Sequence, residues 1–344
     1  MGIFTIAGCL AAALISWLIC TNALVIGTKR GLIDRPDGIR KLHYGAVPLL
    51  GGFAVIVPFL IVAVSYMLLV QAEPTLGVAA ACMAATVVVG YLDDHRGMNV
   101  RNRLLALCAI VGAACLLDSE FVLHTLRLNF VRLQISLDPF ATLATIFIVV
   151  GFVNAANLAD GINGQLLGSI MVWCAFLLIY MPYERTPFLA LLASVAVALV
   201  FNLRGKLFSG SVGSYALPMF IGLSTIALYR RAGGAFHAEL PVYWFWLPVV
   251  DCMRLFAWRA LNRRSPFSAD RNHIHHLLMS LTGNRLAAPL YLLLLAVPGV
   301  VAIYNEPFAL VALVLCLITY AALLSAKSLH LAARISGLGG TKSA

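Results

Sequence analysis

Charge is what this chain has least of. Only 11 % of its 344 residues are Asp, Glu, Lys or Arg, against about 25 % in a soluble domain. With 62 % hydrophobic residues and a mean hydropathy of +0.94, the deficit excludes a soluble globular domain and predicts an all-α integral membrane protein. A C-x-x-C pair is missing too. Cys9, Cys20, Cys82, Cys108, Cys115, Cys174, Cys252 and Cys316 all lie inside apolar runs, where they read as small core hydrophobes and not as disulfides or metal ligands. The first apolar stretch, Met1 to Ile26, has no basic leading region and no small-residue cleavage site, so it is expected to be a retained span. With no internal repeat, low-complexity tract or long polar linker, one domain over 1–344 is expected. The net charge of +10 is scattered among short loops with no single basic face, which excludes nucleic acid as a partner.

What remains is long apolar runs. A span needs about 20 apolar residues. Eleven stretches qualify, or ten if the weakest fails: 3–27, 48–70, 75–92, 103–119, 139–158, 164–182, 187–203, 214–229, 240–258, 289–304 and 308–326. The run 103–119 is the weakest, because it begins at Arg103 and ends near Asp118 and Glu120. Most of the 24 Lys and Arg residues lie in one alternating set of loops; the other set holds only Arg127, Arg132, Arg185, Arg230 and Arg231. The positive-inside rule makes the first set cytoplasmic, with the N-terminus outside and the C-terminus inside. In the outer segment 121–137, apolar and polar residues alternate around Leu128-Asn129, which predicts a small external β-hairpin.

The polar clusters all belong to the basic set of loops. Asp93 and Asp94 follow an apolar run and precede Arg96, Arg101 and Arg103. Two unit charges about 4 Å apart at an effective dielectric near 20 repel by roughly 4 kcal/mol, so the pair calls for a cation or a shared proton. Magnesium suits it better than zinc, because it accepts carboxylates together with water and substrate phosphates. Asn154 and Asn157 stand at i and i+3 on one helix face, and Asp160 continues that stripe if the helix persists. Lys41 and His43 precede the Gly51-Gly52 pair, which lets a helix start pack closely. Phe208-Ser209-Gly210-Ser211-Val212-Gly213-Ser214 places small residues before a new span. In Ser265-Pro266-Phe267-Ser268-Ala269-Asp270-Arg271-Asn272-His273-Ile274-His275-His276, Ser268 can cap a helix running to about Gly283, with His273 and His276 on one face. Taken singly, each cluster has a plain alternative: a basic connector, a solvated helix end, a Gly/Ser loop or a solvated amphipathic helix.

Taken in order, Asp93-Asp94, then Asn154-x-x-Asn157-x-x-Asp160-Gly161, then the 265–276 run, the chain resembles the polyprenyl-phosphate N-acetylhexosamine-1-phosphate transferases. Within them it is most similar to the bacterial undecaprenyl-phosphate GlcNAc-1-phosphate transferase branch. The resemblance implies attack by undecaprenyl phosphate on the β-phosphorus of a UDP-N-acetylhexosamine, with UMP leaving, as the first step of a surface glycan such as O-antigen. It implies Mg2+ as cofactor, with Mn2+ as the substitute, and a multi-pass protein of the bacterial inner membrane whose active site faces the cytoplasm. The partners are then the two substrates, the lipid bilayer and, since dimers are known in the superfamily, a second copy of the chain. It assigns catalysis to Asp93, Asp94, Asp160, His273, His275 and His276. Substrate binding goes to Lys41, His43, Asn154, Asn157, Gly161, Asn202, Phe208 and Arg271, with Phe208 stacking on uracil. The metal falls to Asp93, Asp94, Asp160 and Ser211.

Two positions depart from the family pattern. Asn163 stands in the second acidic place of Asp-Gly-Ile-Asp-Gly, and Ser211 stands where Phe-x-Gly-Asp-x-Gly-Ser has a metal-binding aspartate. A hydroxyl is a neutral and weaker magnesium ligand, so the expectation is weakened metal binding, a site in which Asp251 or Asp270 helps, or a silent relative that binds lipid phosphate or partners in glycan assembly. A transporter is disfavoured, because the polar residues gather at one membrane face and not at the midplane.

Overall fold

The computed structural model describes residues 2–36, 45–70, 73–181, 185–233, 236–265 and 272–335. Among these the chain forms thirteen helices and two short antiparallel strand pairs. The helices are α1 (Gly2–Thr21), α2 (Ala23–Arg30), α3 (Gly51–Val70), α4 (Pro74–Arg96), α5 (Val100–Leu117), α6 (Ala141–Ala159), α7 (Gln165–Tyr180), α8 (Arg185–Leu203), α9 (Gly210–Arg231), α10 (Glu239–Leu261), α11 (Ile274–Thr282), α12 (Asn284–Tyr304) and α13 (Glu306–Ile335). Ten of the eleven predicted spans each fall mainly on a single helix, and the first is shared between α1 and α2. By length and composition nine of the described helices can cross a membrane. α7 is apolar but has only 16 residues, and α10 carries Glu239, Asp251, Arg254 and Arg259 within its length. Apolar side chains such as Leu116, 88 % exposed, and Phe147, 80 % exposed, turn outward, where acyl chains are the fitting solvent. This is a multi-pass membrane protein.

Local chemistry sets several boundaries. Pro74 opens α4, where its missing N–H costs nothing. Asn99 caps α5 by accepting from the Asn102 N–H at 2.8 Å, which carries the doubtful fourth span back to Val100. The first predicted span, 3–27, is broken at Asn22. There Thr21 Oγ1 donates to the Trp17 carbonyl at 2.9 Å and Asn22 Nδ2 to the Leu18 carbonyl at 2.8 Å, bonds that compete with the helix ladder.

α9 is the axis of the bundle, with 94 % of its apolar window buried. α3, α4 and α6 pack around it. The fit at its start depends on glycine: a Cβ on Gly90 of α4 would lie 2.5 Å from Val212 Cα, and one on Gly52 of α3 would meet the backbone of Gly213. This close approach lets the Gly51 and Gly52 N–H groups donate to the Phe208 and Ser209 carbonyls at 2.8 and 2.9 Å, the small-residue contact typical of membrane helices. Deeper in, Phe59 meets Phe220 edge-on at 4.7 Å.

The strand pairs mark the two ends of α9. β1 (Ile33–Asp34) pairs with β2 (Val47–Pro48), and the Pro48 carbonyl accepts from the Phe208 N–H at 3.0 Å. At the other end β3 (Thr125–Leu128) pairs with β4 (Leu133–Ser136), the hairpin that the alternation in 121–137 predicts. It is tied to α9 by the Arg127 N–H, which donates to Tyr229 Oη at 2.7 Å, and by the Arg127 guanidinium over the Tyr229 ring at 5.1 Å. Because the seam admits no side chain, Gly90→Ala is expected to destabilise the folded protein by about 1–3 kcal/mol, read as a lower melting temperature in detergent. An unchanged melting temperature contradicts this packing.

Candidate active site

Five helix ends converge on one cleft: the C-termini of α4, α6 and α8 and the N-termini of α9 and α12. The cavity there has a volume of about 1450 Å³, and its lining includes Asp34, Asp93, Asp94, Asn157, Asp160, Gly161, Asn202, Phe208, Ser211 and His276. Residues that lie far apart in the chain, and that the sequence nominates for chemistry, meet here.

The two adjacent aspartates are held by different partners. Asp93 Oδ1 accepts from the Met98 N–H at 2.8 Å and Oδ2 from the Tyr215 hydroxyl at 2.7 Å. Arg103 stands behind, 3.9 Å from Asp93 Oδ2 and 3.1 Å from Tyr215 Oη. Asp94 turns to the start of α9, where Oδ1 accepts from the Ser211 N–H at 2.8 Å and Oδ2 from the Val212 N–H at 3.3 Å. A carboxylate is stabilised there by otherwise unsatisfied N–H groups and by the helix dipole.

Asp160 does not continue the helical stripe. α6 ends at Ala159, and Asp160 is its cap with ψ of 67°. Burial raises the Asp160 carboxyl from its ordinary value to about 7, a hydrogen bond with Ser209 opposing and the charge of Asp94 adding to the rise. Asn157 Oδ1 accepts from the Ser214 hydroxyl at 2.7 Å, which joins α6 to α9. Asn154 is buried one turn deeper and donates to the Val150 carbonyl of its own helix at 2.8 Å, so it does not reach the cleft. Asn202 lines the cleft with both polar ends engaged, accepting from the Gly164 N–H at 2.6 Å and donating to the Leu207 carbonyl at 2.9 Å.

The histidine run is placed differently from its sequence reading. α11 starts at Ile274, so His273 is its N-cap and not part of a helical face. Ser268, Asp270 and Arg271 lie outside the described residues, as do Lys41 and His43. Of the three histidines only His276 lines the cleft. His275 is buried against Gly161, where any side chain would collide with its ring, and burial with the nearby His276 and His273 holds its imidazole well below the ordinary histidine value. His273 Nδ1 bonds Asp251 Oδ2 at 2.8 Å. Asp251 also accepts from Arg254 and Tyr320 and does not line the cleft, which overturns the expectation that it substitutes for a missing metal ligand. Reading the sequence missed Tyr215 and the roles of Arg103, Arg204 and Arg285. The last two line the cleft, and no spacing rule singles them out from other loop cations.

Among the described residues no three His, Cys, Asp or Glu side chains converge to enclose a metal ion. Of the polar groups in the lining, the four that the sequence nominates for a cation, Asp93, Asp94, Asp160 and Ser211, offer oxygen. That set suits a hard cation completed by water and substrate phosphates, since magnesium is commonly held through one or two carboxylates.

The profile of glycosyl transferase family 4 matches residues 76–229. The chain is 32 % identical over 268 residues to the undecaprenyl-phosphate alpha-N-acetylglucosaminyl 1-phosphate transferase of Yersinia pestis, covering 74 % of this chain and 71 % of that one. It is 32 % identical over 270 residues to the Escherichia coli (strain K12) protein of the same name. The chain belongs to the polyprenyl-phosphate N-acetylhexosamine-1-phosphate transferase family. It falls on the bacterial undecaprenyl-phosphate GlcNAc-1-phosphate transferase-like branch, and a probable undecaprenyl-phosphate N-acetylglucosaminyl 1-phosphate transferase of Bacillus subtilis is 25 % identical over 262 residues. As a member of that family it is a transferase. The matched stretch runs from α4 to α9 and so carries both aspartates, Asn157, Asp160, Phe208 and Ser211.

An unfolded chain ionises Asp160 near pH 4, whereas the folded protein does so at about 7. The folded state therefore holds the extra proton between those values, and the contribution of Asp160 to stability declines as pH rises through that window. Asp160→Asn removes this slope. Its melting temperature, measured without divalent cation, is expected to fall less than the parent's between about pH 5 and about pH 7.5; parallel curves contradict the assignment.

Proposed function

We propose that this cleft transfers N-acetylhexosamine 1-phosphate from a UDP-sugar to undecaprenyl phosphate. A phosphate oxygen of the lipid attacks the β-phosphorus, the bond from that phosphorus to the bridging oxygen breaks, and UMP leaves with the electron pair. The observation that carries the reading is the adjacent aspartate pair at the end of α4, both members held by the first turns of α9, Asp94 through backbone N–H groups and Asp93 through the Tyr215 hydroxyl, in a cleft that also contains Asp160, Phe208 and His276.

Each group has a task in this reaction. Asp93, fixed by Tyr215 with Arg103 behind it, orients the lipid phosphate and takes its proton. Phe208 offers a face for uracil, while Asn157 and Gly161 border the nucleotide. Arg204, Arg285 and His276 lie where cationic or donor groups meet a diphosphate, and phosphoryl transfer relies on such charge stabilisation and alignment. Asp94 and Asp160, with the Ser211 hydroxyl, would hold Mg2+, which supplies Lewis-acid neutralisation of the diphosphate when bound. The positive-inside pattern supports a cytoplasmic cleft in a bacterial inner membrane. In that orientation the lipid headgroup comes from the bilayer and the nucleotide sugar from the cytosol.

Purified protein with undecaprenyl phosphate, UDP-GlcNAc and Mg2+ is expected to release UMP, and Asp93→Asn is expected to lower kcat at least about 100-fold. A folded preparation that releases no UMP with any UDP-N-acetylhexosamine overturns the reading in favour of a silent relative. Full activity in Asp93→Asn removes that residue from the mechanism. Ser211→Asp is expected to restore an anionic oxygen beside Asp94 and to lower the Mg2+ concentration at half-maximal rate by about tenfold. An unchanged requirement shows that position 211 does not face the cation.

A further inference from the structure

Behind the cleft lies a second carboxylate centre whose donors come from separate parts of the chain. Asp251, in the middle of α10, is only 3 % exposed. Its Oδ1 accepts from the Tyr320 hydroxyl of α13 at 2.7 Å and from Arg254 Nη2 at 2.9 Å. Its Oδ2 bonds His273 Nδ1 at 2.8 Å, and both oxygens lie 3.3 Å from the N–H of Ile274, the first residue of α11. Arg254 closes the ring, donating to Tyr320 Oη at 2.6 Å and to the Asn272 carbonyl at 2.7 Å.

The centre leads to the cleft through a row of imidazoles. His273 stacks on His275 with centroids 5.4 Å apart and planes 7° apart, and His275 meets His276 at 4.3 Å. His275 fills the space that the missing side chain of Gly161 leaves, next to Asp160. A buried carboxylate with four hydrogen-bonding groups around it has no access to substrate, but it determines where the first turn of α11 lies.

We propose that Asp251, with Arg254 and Tyr320, is a positioning latch that fixes His273 and the start of α11, so that the ring row delivers His276 to the cleft and braces the Asp160-Gly161 turn. His273 is then a positioning residue and not a substrate contact, and α13 contributes to the site through one hydroxyl. The kinetic consequence rests on the transfer reaction proposed above; the latch itself does not.

The test uses the full chain in detergent, with Tyr320→Phe, Asp251→Asn and the double variant compared at matched elution profiles. Carbethoxylation by diethyl pyrocarbonate, mapped by peptide mass spectrometry, reads the latch without any catalysis. His275 is expected to be protected in the parent and to react about tenfold faster in Tyr320→Phe, because the segment opens locally. In the UMP assay Tyr320→Phe is expected to lower kcat about tenfold, as for a lost hydrogen bond to a charged group, with the KM for UDP-GlcNAc moving less than about twofold. The double variant is expected to lose less than the product of the single losses, because both changes open one network. Should Asp251→Asn not fold, Tyr320→Phe carries the test alone. Parent-like labelling of His275 in Tyr320→Phe overturns the latch, and faster labelling with unchanged kcat overturns its positioning role. If the parent itself releases no UMP, the transfer reading fails and the labelling result decides the latch independently.

Discussion

The carboxylate of Asp94 closes the N-terminus of α9, and the arrangement of the cleft depends on that contact. α9 is the most completely buried of the candidate spans, so wherever its first turn is held, the walls formed by α3, α4 and α6 are held with it. The bonds from the Ser211 and Val212 N–H groups to Asp94 are of the charge-assisted kind, and a carboxylate at a helix start contributes about 0.3–1 kcal/mol, up to about 2 when partly buried. That energy is modest, but it acts where Gly52 and Gly90 bring backbones into direct contact. Asp94 is therefore a structural group as well as a candidate ligand, and Asp93 is likewise held on both oxygens, by a phenol and by a loop N–H.

Much of this architecture was legible in the chain, and the physical reasons are specific. Long apolar runs bounded by charge marked every span, because a bilayer demands continuous apolarity over a helix of that length. Alternation around Leu128-Asn129 marked the hairpin, although its burial differs by strand and not by face, β3 being half-buried and β4 exposed throughout. Gly51-Gly52 marked a close approach before the approaching partner, the start of α9, was known. The shortfalls arise where side chains act on backbone or across long separations. Thr21 and Asn22 break the first span through bonds to their own preceding turn. Asn154 shares a helix face with Asn157 but turns its amide back to Val150. His273 reads as part of a helix until Asp251, 22 residues earlier, is seen to hold both its ring and the N–H of Ile274.

Two positions at which the family resemblance implies aspartates carry an amide and a hydroxyl in this chain. With Asn163 and Ser211 at those positions, the acids in the lining of the cleft are Asp34, Asp93, Asp94 and Asp160. The structure gives Asp251 to the histidine run instead. In the proposed reaction the smaller number of fixed negative charges would leave more of a cation's coordination to the substrate's own phosphates, while Arg204 and Arg285 add positive charge where the diphosphate is proposed to lie.

Isotopic labelling reads directly which bond breaks in the transfer. With UDP-GlcNAc carrying radioactive phosphorus at the β-position and undecaprenyl phosphate as acceptor, transfer of the sugar together with its phosphate moves the label into the lipid product while UMP stays unlabelled. Label that remains in the nucleotide while the sugar alone moves to the lipid contradicts the account.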